Sequence, residues 1–339
     1  MQAEKANFPV SVMCRVLTVN RTSFHDWERR APSHRALSDA WLTEKIRQMH
    51  AASDGTYAAR RVHAELRLEH GIRVGRKRVE RLMREAGISG VLPRKRRRTT
   101  VRLPGLRVPP DLVERDFRPD GPNLTWSADI TYISTWEGFL YAHVQDLFSR
   151  LIVGWSMADH LRAELVVSAL EMALHRRHPQ PGLIHHSDQG RQYTAVLFTK
   201  RCAAAGIEIS MGSVGDCYDN AVCEAFHASI KKERIYRRSW PTRAEARAAV
   251  FEYIEGWYNP RRRHSTLGYL SPAEYERHHA QLTTDRVSTI GAAAAGNGSV
   301  PPEIPLDAPT DRAQAATNGD RGTNGTPWPL RQTVEEQTH

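Results

Sequence analysis

Cysteine is scarce in this 339-residue chain, and the four present, Cys14, Cys202, Cys217 and Cys223, form no CxxC pair. Their number and spacing exclude a disulfide-stapled scaffold, and with no secretory leader they point to reduced thiols in a cytoplasmic protein. Long apolar runs are also lacking. The longest lies around Leu151 to Met157, far short of the roughly 20 residues needed to cross a bilayer, so no membrane role is expected. No heptad run precedes Phe8, so no leucine zipper is expected in those residues. Negative charge is in deficit. Net charge is +10, and residues 289–339 carry six acidic and three basic side chains, so residues 1–288 hold +13. Polyanions are the natural partner for such a surface.

The chain divides by pattern. Residues 1–33 read as a helix-turn-helix segment: Val10, Met13, Cys14 and Leu17 share one face, Thr18 to Asn20 break it, and Ser23 to Trp27 resume it. A plain helical hairpin has the same spacing. Residues 34–90 read as a second helical, DNA-binding domain, with Leu42, Ile46 and Met49, then Val79, Leu82, Met83 and Ala86, at helical intervals before a stop at Gly87. Arg60, Arg61, Arg76, Lys77, Arg78, Arg81 and Arg84 make its outer face basic, as phosphate contact or simple solvation of a helix requires. Residues 91–120 form a basic, proline-containing linker in which Arg94, Lys95, Arg96, Arg97 and Arg98 are suited to tracking a phosphate backbone.

From Leu124 the period changes to two. Strands are predicted at Leu124–Ile133, Phe139–Gln145, Leu151–Met157, Leu183–Ser187 and Ile207–Met211, and helices at Leu161–His175, Ala195–Ala205, 219–237 and 242–257. Three strands in succession followed by alternating helix and strand predict an α/β fold, a mixed sheet flanked by helices, over residues 121–284. Residues 285–339, rich in Ala, Gly, Asn, Pro and Thr without hydrophobic periodicity, predict a disordered tail.

Three carboxylates stand out by placement: Asp129 in WSADIT, Asp188 in HHSDQG, and Glu224 in DNAVCEAF, with 35 residues between the last two. Asp129 lies on the strand face of Ser127 and Thr131, opposite Trp126, Ala128 and Ile130. Asp188 closes a strand at its C-terminal edge, where ligands gather in open sheets, and Glu224 joins from a helix. Three carboxylates brought close repel unless cations neutralise them, and hard oxygen donors favour Mg²⁺, or Mn²⁺, over zinc. Two ions about 4 Å apart suit phosphodiester chemistry. On the same helix Asn220, Glu224, His227, Ala228 and Lys231 share a broad face, which makes Lys231 a candidate DNA contact beside the metal.

Other readings compete. Asp146, Asp216 and Asp219 are possible ligands, but Asp146 is as well explained by pairing with Arg150 or capping a turn, and the other two by loop or N-cap roles. A zinc site from His185, His186, Cys217 and Cys223 is disfavoured, because neighbours on a strand face opposite ways and the cysteine spacing is not a finger pattern. His186 is left as a phosphate-orienting group near Asp188, and Gln189, Arg191 and Tyr193 as possible DNA contacts.

The stretches TWSADITYI, LYAHVQDLFSRLIVGWSM, LIHHSDQGRQY, MGSVGDCYDNAVCEAFHASIKKE and YNPRRRHSTLGYLSPAEY resemble the integrase-core (DDE) transposases of bacterial insertion sequences, in their second-reading-frame form, related to retroviral integrases. The resemblance spans residues 10 to about 280. It implies a ribonuclease H-like core, with Asp129, Asp188 and Glu224 as the catalytic acidic triad binding two Mg²⁺ ions. It also implies that Arg261, Arg262 and Arg263 lie near DNA, and that residues 34–90 are the helix-turn-helix region ahead of the core. The activity implied is cleavage at transposon ends followed by direct attack of the freed 3′-hydroxyl on target DNA. No protein-bound ester forms in such a scheme; Ser187 and Tyr193 are nucleophile candidates only in a serine or tyrosine recombinase scheme. The implied partners are inverted-repeat ends and target DNA, further copies of the chain on that DNA, and an upstream-frame helix-turn-helix protein. A catalytically inactive DNA-binding regulator and a nuclease acting on hybrids are the alternatives.

Overall fold

The computed structural model describes residues 1–91, 111–113, 119–212 and 221–295. The linker cluster Arg94 to Arg98, Asp216, Cys217, Asp219 and Asn220 lie outside the described residues.

Five helices come first: α1 (Val10–Val16), α2 (Arg21–Arg29), α3 (His34–Ala52), α4 (Ala59–Leu68) and α5 (Arg76–Glu85). Residues with short polar side chains start two of them. Asn20 accepts from the Thr22 amide ahead of α2, and Ser33 from the Ala36 amide ahead of α3, satisfying donors that a helix N-terminus leaves bare. The apolar stripes expected from spacing close on one another: Leu42, Ile46 and Met49 meet Val62 and Leu66 of α4 and Val79, Leu82 and Met83 of α5. Burying each such side chain contributes roughly 1.5–3 kcal/mol.

The five expected strands form one sheet: β1 (Thr125–Ile133), β2 (Phe139–Asp146), β3 (Ile152–Ala158), β4 (Ile184–Ser187) and β5 (Glu208–Met211), in the order β3-β2-β1-β4-β5. The first three are an antiparallel meander, while β4 and β5 add in parallel to β1. One face carries Trp126, Ala128, Ala142, Val144 and Val153 against α6 (Ala163–Arg177) and α7 (Val196–Ala204). Gly154 is where β3 meets α6, since a Cβ there would lie 2.2 Å from the Ala169 carbonyl oxygen. The other face packs against α8 (Ala221–Glu233) and α9 (Arg243–Phe251) through Tyr141, Trp155, Phe226, Ile230 and Val250. This is the expected ribonuclease H-like mixed sheet flanked by helices, behind an all-α segment.

Two elements differ from expectation. The helix anticipated over 242–257 changes to a π-helix at Glu252–Tyr258, which turns Tyr253 and Tyr258 inward. The final helix, α10, spans Pro272–Ala295 and so crosses the boundary expected at residue 285. An alanine run needs no apolar stripe to be helical, because alanine has the highest intrinsic propensity. Among the described residues no helix is long and apolar enough to cross a membrane.

Candidate active site

Register places the first two acids. Ala128 of β1 pairs with Ser187 of β4 in parallel, so Asp129 and Asp188, one residue further along each chain, emerge side by side at the C-terminal end of β4. Their proximity is visible in their chemistry. Desolvation first, and the Asp129 charge second, raise the Asp188 carboxyl above its ordinary range. The Gly190 amide donates to Asp188 Oδ1 at 3.1 Å, and a Cβ at Gly190 would sit 2.9 Å from that oxygen, so glycine is needed for the approach. Asp129 Oδ1 accepts from the Ile130 amide at 2.7 Å.

Helix α8 is laid along the polar face of β1. Cys223 touches Ser127, His227 touches Asp129, and Lys231 donates to Thr131. Four helical residues rise about 6 Å and two strand residues about 6.6 Å, so each turn of α8 meets the next outward residue of β1. Glu224 adjoins Cys223, precedes His227 by one turn, and is exposed. Asp129 and Asp188 are thus brought together, with Glu224 on the helix seated against the same face. Among the described residues no three His, Cys, Asp or Glu side chains are gathered closely enough to hold an ion by themselves. The donor set nevertheless fits a hard divalent cation: two carboxylates lie close at a strand end, and positive charge between them would offset their repulsion, which adds to desolvation in raising Asp188.

Several expectations are corrected. Lys231 is buried, with its ammonium directed at Thr131, because the helical step that brings Cys223 and His227 to β1 also turns Lys231 inward. Arg262 and Arg263 are buried too, at 4 % and 3 % exposure, and do not form a DNA-facing surface. Arg262 donates to both oxygens of Glu233, at 2.8 and 2.7 Å, and Arg263 pairs with Glu65, Glu69 and Glu274. Tyr57 accepts from the Arg263 amide at 2.8 Å, and Arg61 lies 3.5 Å from Glu233, so these groups fasten the helical segment to the core. Arg261 remains exposed. On α5, Arg76 and Lys77 are exposed, although Arg76 pairs with Glu80, whereas Arg78 is half-buried against Asp39.

His186 is buried, with Nδ1 2.9 Å from Ser210 Oγ, because β4 is an interior strand; it does not reach the surface beside Asp188. Tyr193 is likewise buried in the core and is no surface contact, whereas Arg191 is exposed. Asp146 is an internal acid: it accepts from the Asn123 and Phe148 amides at 2.8 and 2.9 Å, the second as the expected turn cap, and lies 3.5 Å from Arg177. Burial pushes its carboxyl up to about 6. Sequence reasoning placed His227 on the face of Glu224 without giving it a role, and passed over His143. His143 lies directly opposite Asp129 in the β1–β2 ladder, and its Nδ1 is 3.1 Å from His227 Nε2. The period-two pattern of β2 could have flagged His143, a polar residue predicted to face the same side as Asp129.

A meander extended by two parallel strands, with two acids meeting where β4 pairs with β1, fits the integrase-core class, and the family models match it. Residues 119–217 and 205–272 each match a family model described as Integrase core domain, and residues 36–97 one described as HTH-like domain. The chain is 40% identical over 271 residues to the "Insertion element IS600 uncharacterized 31 kDa protein" of Shigella sonnei, covering 80% of this chain and 99% of that one. It is 41% identical over 262 residues to the "Putative transposase for insertion sequence element IS986/IS6110" of Mycobacterium tuberculosis, covering 75% and 94%. Among solved structures it is similar to the HTLV-2 integrase catalytic core domain in complex with magnesium, at 16% identity and a TM-score of 0.37, over 47% of this chain and 99% of that one. The chain belongs to the integrase-core transposases of insertion sequences, a family of DNA transposition.

Proposed function

We propose that this transposase cleaves DNA at the ends of its element and joins them to target DNA, with Asp129, Asp188 and Glu224 holding two Mg²⁺ ions, replaceable by Mn²⁺. The observation that carries the reading is the meeting of Asp129 and Asp188 at adjoining parallel strands, close enough for one charge to raise the other's carboxyl. When bound, the cations supply charge neutralisation at the phosphate and activation of the attacking oxygen. The chain's own contribution is geometric. The Ile130 and Gly190 amides orient the two aspartates, and the seam between α8 and β1 fixes the helix that bears Glu224. Burial of Ser187 and Tyr193 supports a scheme without a protein nucleophile; the Tyr193 hydroxyl is held well above its usual range by desolvation, then by Asp129 and Asp188.

DNA is the substrate under this reading, bound by the exposed cations of α5 and by the Arg94–Arg98 linker, in an assembly of several copies and with an upstream-frame helix-turn-helix protein. The deciding experiment uses labelled terminal-repeat duplex. Glu224→Gln is expected to bind the duplex as the parent does while losing cleavage by 10³-fold or more, on the order of a lost metal-site or oxyanion contribution. Equal cleavage by variant and parent overturns the assignment.

A further inference from the structure

Buried histidines next to a reactive carboxylate call for an account, because an uncompensated polar group in a dry interior costs free energy. His227 Nδ1 stands 3.4 Å from Asp129 Oδ2, and on its other side Nε2 stands 3.1 Å from His143 Nδ1. His143 is fully buried, stacked on Tyr141 and packed against Phe226. Desolvation, then the neighbouring His227, holds His143 well below its usual range, so its ring is neutral. A proton on His227 Nδ1 keeps a lone pair from being aimed at the carboxylate, and the ring's other nitrogen, Nε2, is then braced by His143 Nδ1.

We infer that His227 is a positioning residue for Asp129, oriented by His143, and that the pair presets the carboxylate for the cation. The inference rests on the proposed role of Asp129 as a cation ligand and adds to it the group that aims that ligand. His227 touches neither DNA nor, in this reading, the ion. It meets the Asp129 carboxylate from α8, as outer-shell hydrogen-bond donors do for ligating carboxylates in other metal sites. The position is over-determined by packing. His227 sits on the turn of α8 between Cys223 and Lys231, both of which hold β1, so the imidazole cannot drift along the strand.

The test reads cation binding directly, on the full chain without DNA, by following the free Mn²⁺ signal in an electron paramagnetic resonance titration. Asp129→Asn is the control for the underlying reading and is expected to lose the tight Mn²⁺ sites. His227→Leu removes the donor and is expected to weaken Mn²⁺ about tenfold, the lower end of what outer-shell partners contribute. His227→Asn is nearly the same size as that variant and restores an N–H where Nδ1 stood, so it is expected to stay within about twofold of the parent. His143→Phe keeps the ring packing, frees the His227 tautomer, and is expected to give a loss of a few fold. If Asp129→Asn binds Mn²⁺ as the parent does, the cation reading fails. If Asp129→Asn abolishes binding while His227→Leu and His227→Asn behave alike, packing alone explains His227 and the positioning role is wrong. Should His227→Leu not melt cooperatively, His143→Phe decides, since unchanged Mn²⁺ affinity in that variant also overturns it.

Discussion

Two basic triplets written almost identically, Arg76-Lys77-Arg78 and Arg261-Arg262-Arg263, end in opposite surroundings. The first lies on α5, where two of its three cations face solvent. The second enters the interior, where Arg262 and Arg263 are caught by Glu233, Glu65, Glu69 and Glu274 from three other elements. A run of arginine therefore states only that negative charge must be met. Whether that charge is a phosphate outside or a carboxylate inside depends on what the fold returns to it.

The contrast breaks most visibly at Arg262. Burial alone would raise the Glu233 carboxyl, yet the Arg262 guanidinium outweighs it and holds it below the usual range. Arg262→Ala leaves that carboxylate buried with the Tyr253 hydroxyl and the more distant Arg61, and is expected to cost about 3–5 kcal/mol in urea unfolding. Arg76→Ala, on the exposed side, should stay within about 0.5 kcal/mol. Similar losses for the two would erase the distinction.

Acidity separates the internal charges further. A carboxyl depressed in the folded state, as Glu233 is, contributes stability above its unfolded pKa, and that stability is lost as pH falls through the folded value. Asp146 acts in the opposite sense. Its folded value near 6 exceeds the ordinary 3.8, so the folded state takes up the extra proton and stability declines as pH rises from about 4 to 6. Urea midpoints taken across pH are expected to lose the lower leg in Arg262→Ala and the upper leg in Asp146→Asn, with the other leg intact in each.

Smaller effects sharpen the outer side. Asp39 occupies Arg78 and Arg81, both at 2.6 Å. Asp39→Ala is expected to tighten duplex binding several-fold, because it releases two cations toward phosphate. Lys77→Ala should reduce the slope of log affinity against log salt by about 0.9, and alanines at Arg94 to Arg98 by more. An unchanged slope would remove those side chains from the DNA interface.

Much of this architecture was legible in residue order. Alternation located β1 to within one residue and put Asp129 on the face opposite Trp126 and Ala128, where the sheet carries it. The parallel pairing that brings Asp188 alongside follows from a strand–helix–strand rhythm. What could not be read were contacts between distant segments. Arg263 meets Glu65 across almost two hundred residues, and no local pattern announces an ion pair of that span. The contact between His143 and His227 was hidden for the same reason, since it exists only once β2 and α8 are both laid against β1. The π turn at Glu252–Tyr258 is also silent in sequence; its Tyr253 and Tyr258 bond to Glu233 and Gln145, on other elements.

The matched stride of α8 and β1 sets a rule for which length changes this protein can absorb. Glu224 takes its place from a helix zipped onto a strand and owes nothing to the length of chain joining β5 to α8. Residues added to that connection should leave the acid where it is. A single residue inserted between Cys223 and His227 would rotate the remainder of the helix by about 100° and unseat every tooth beyond it.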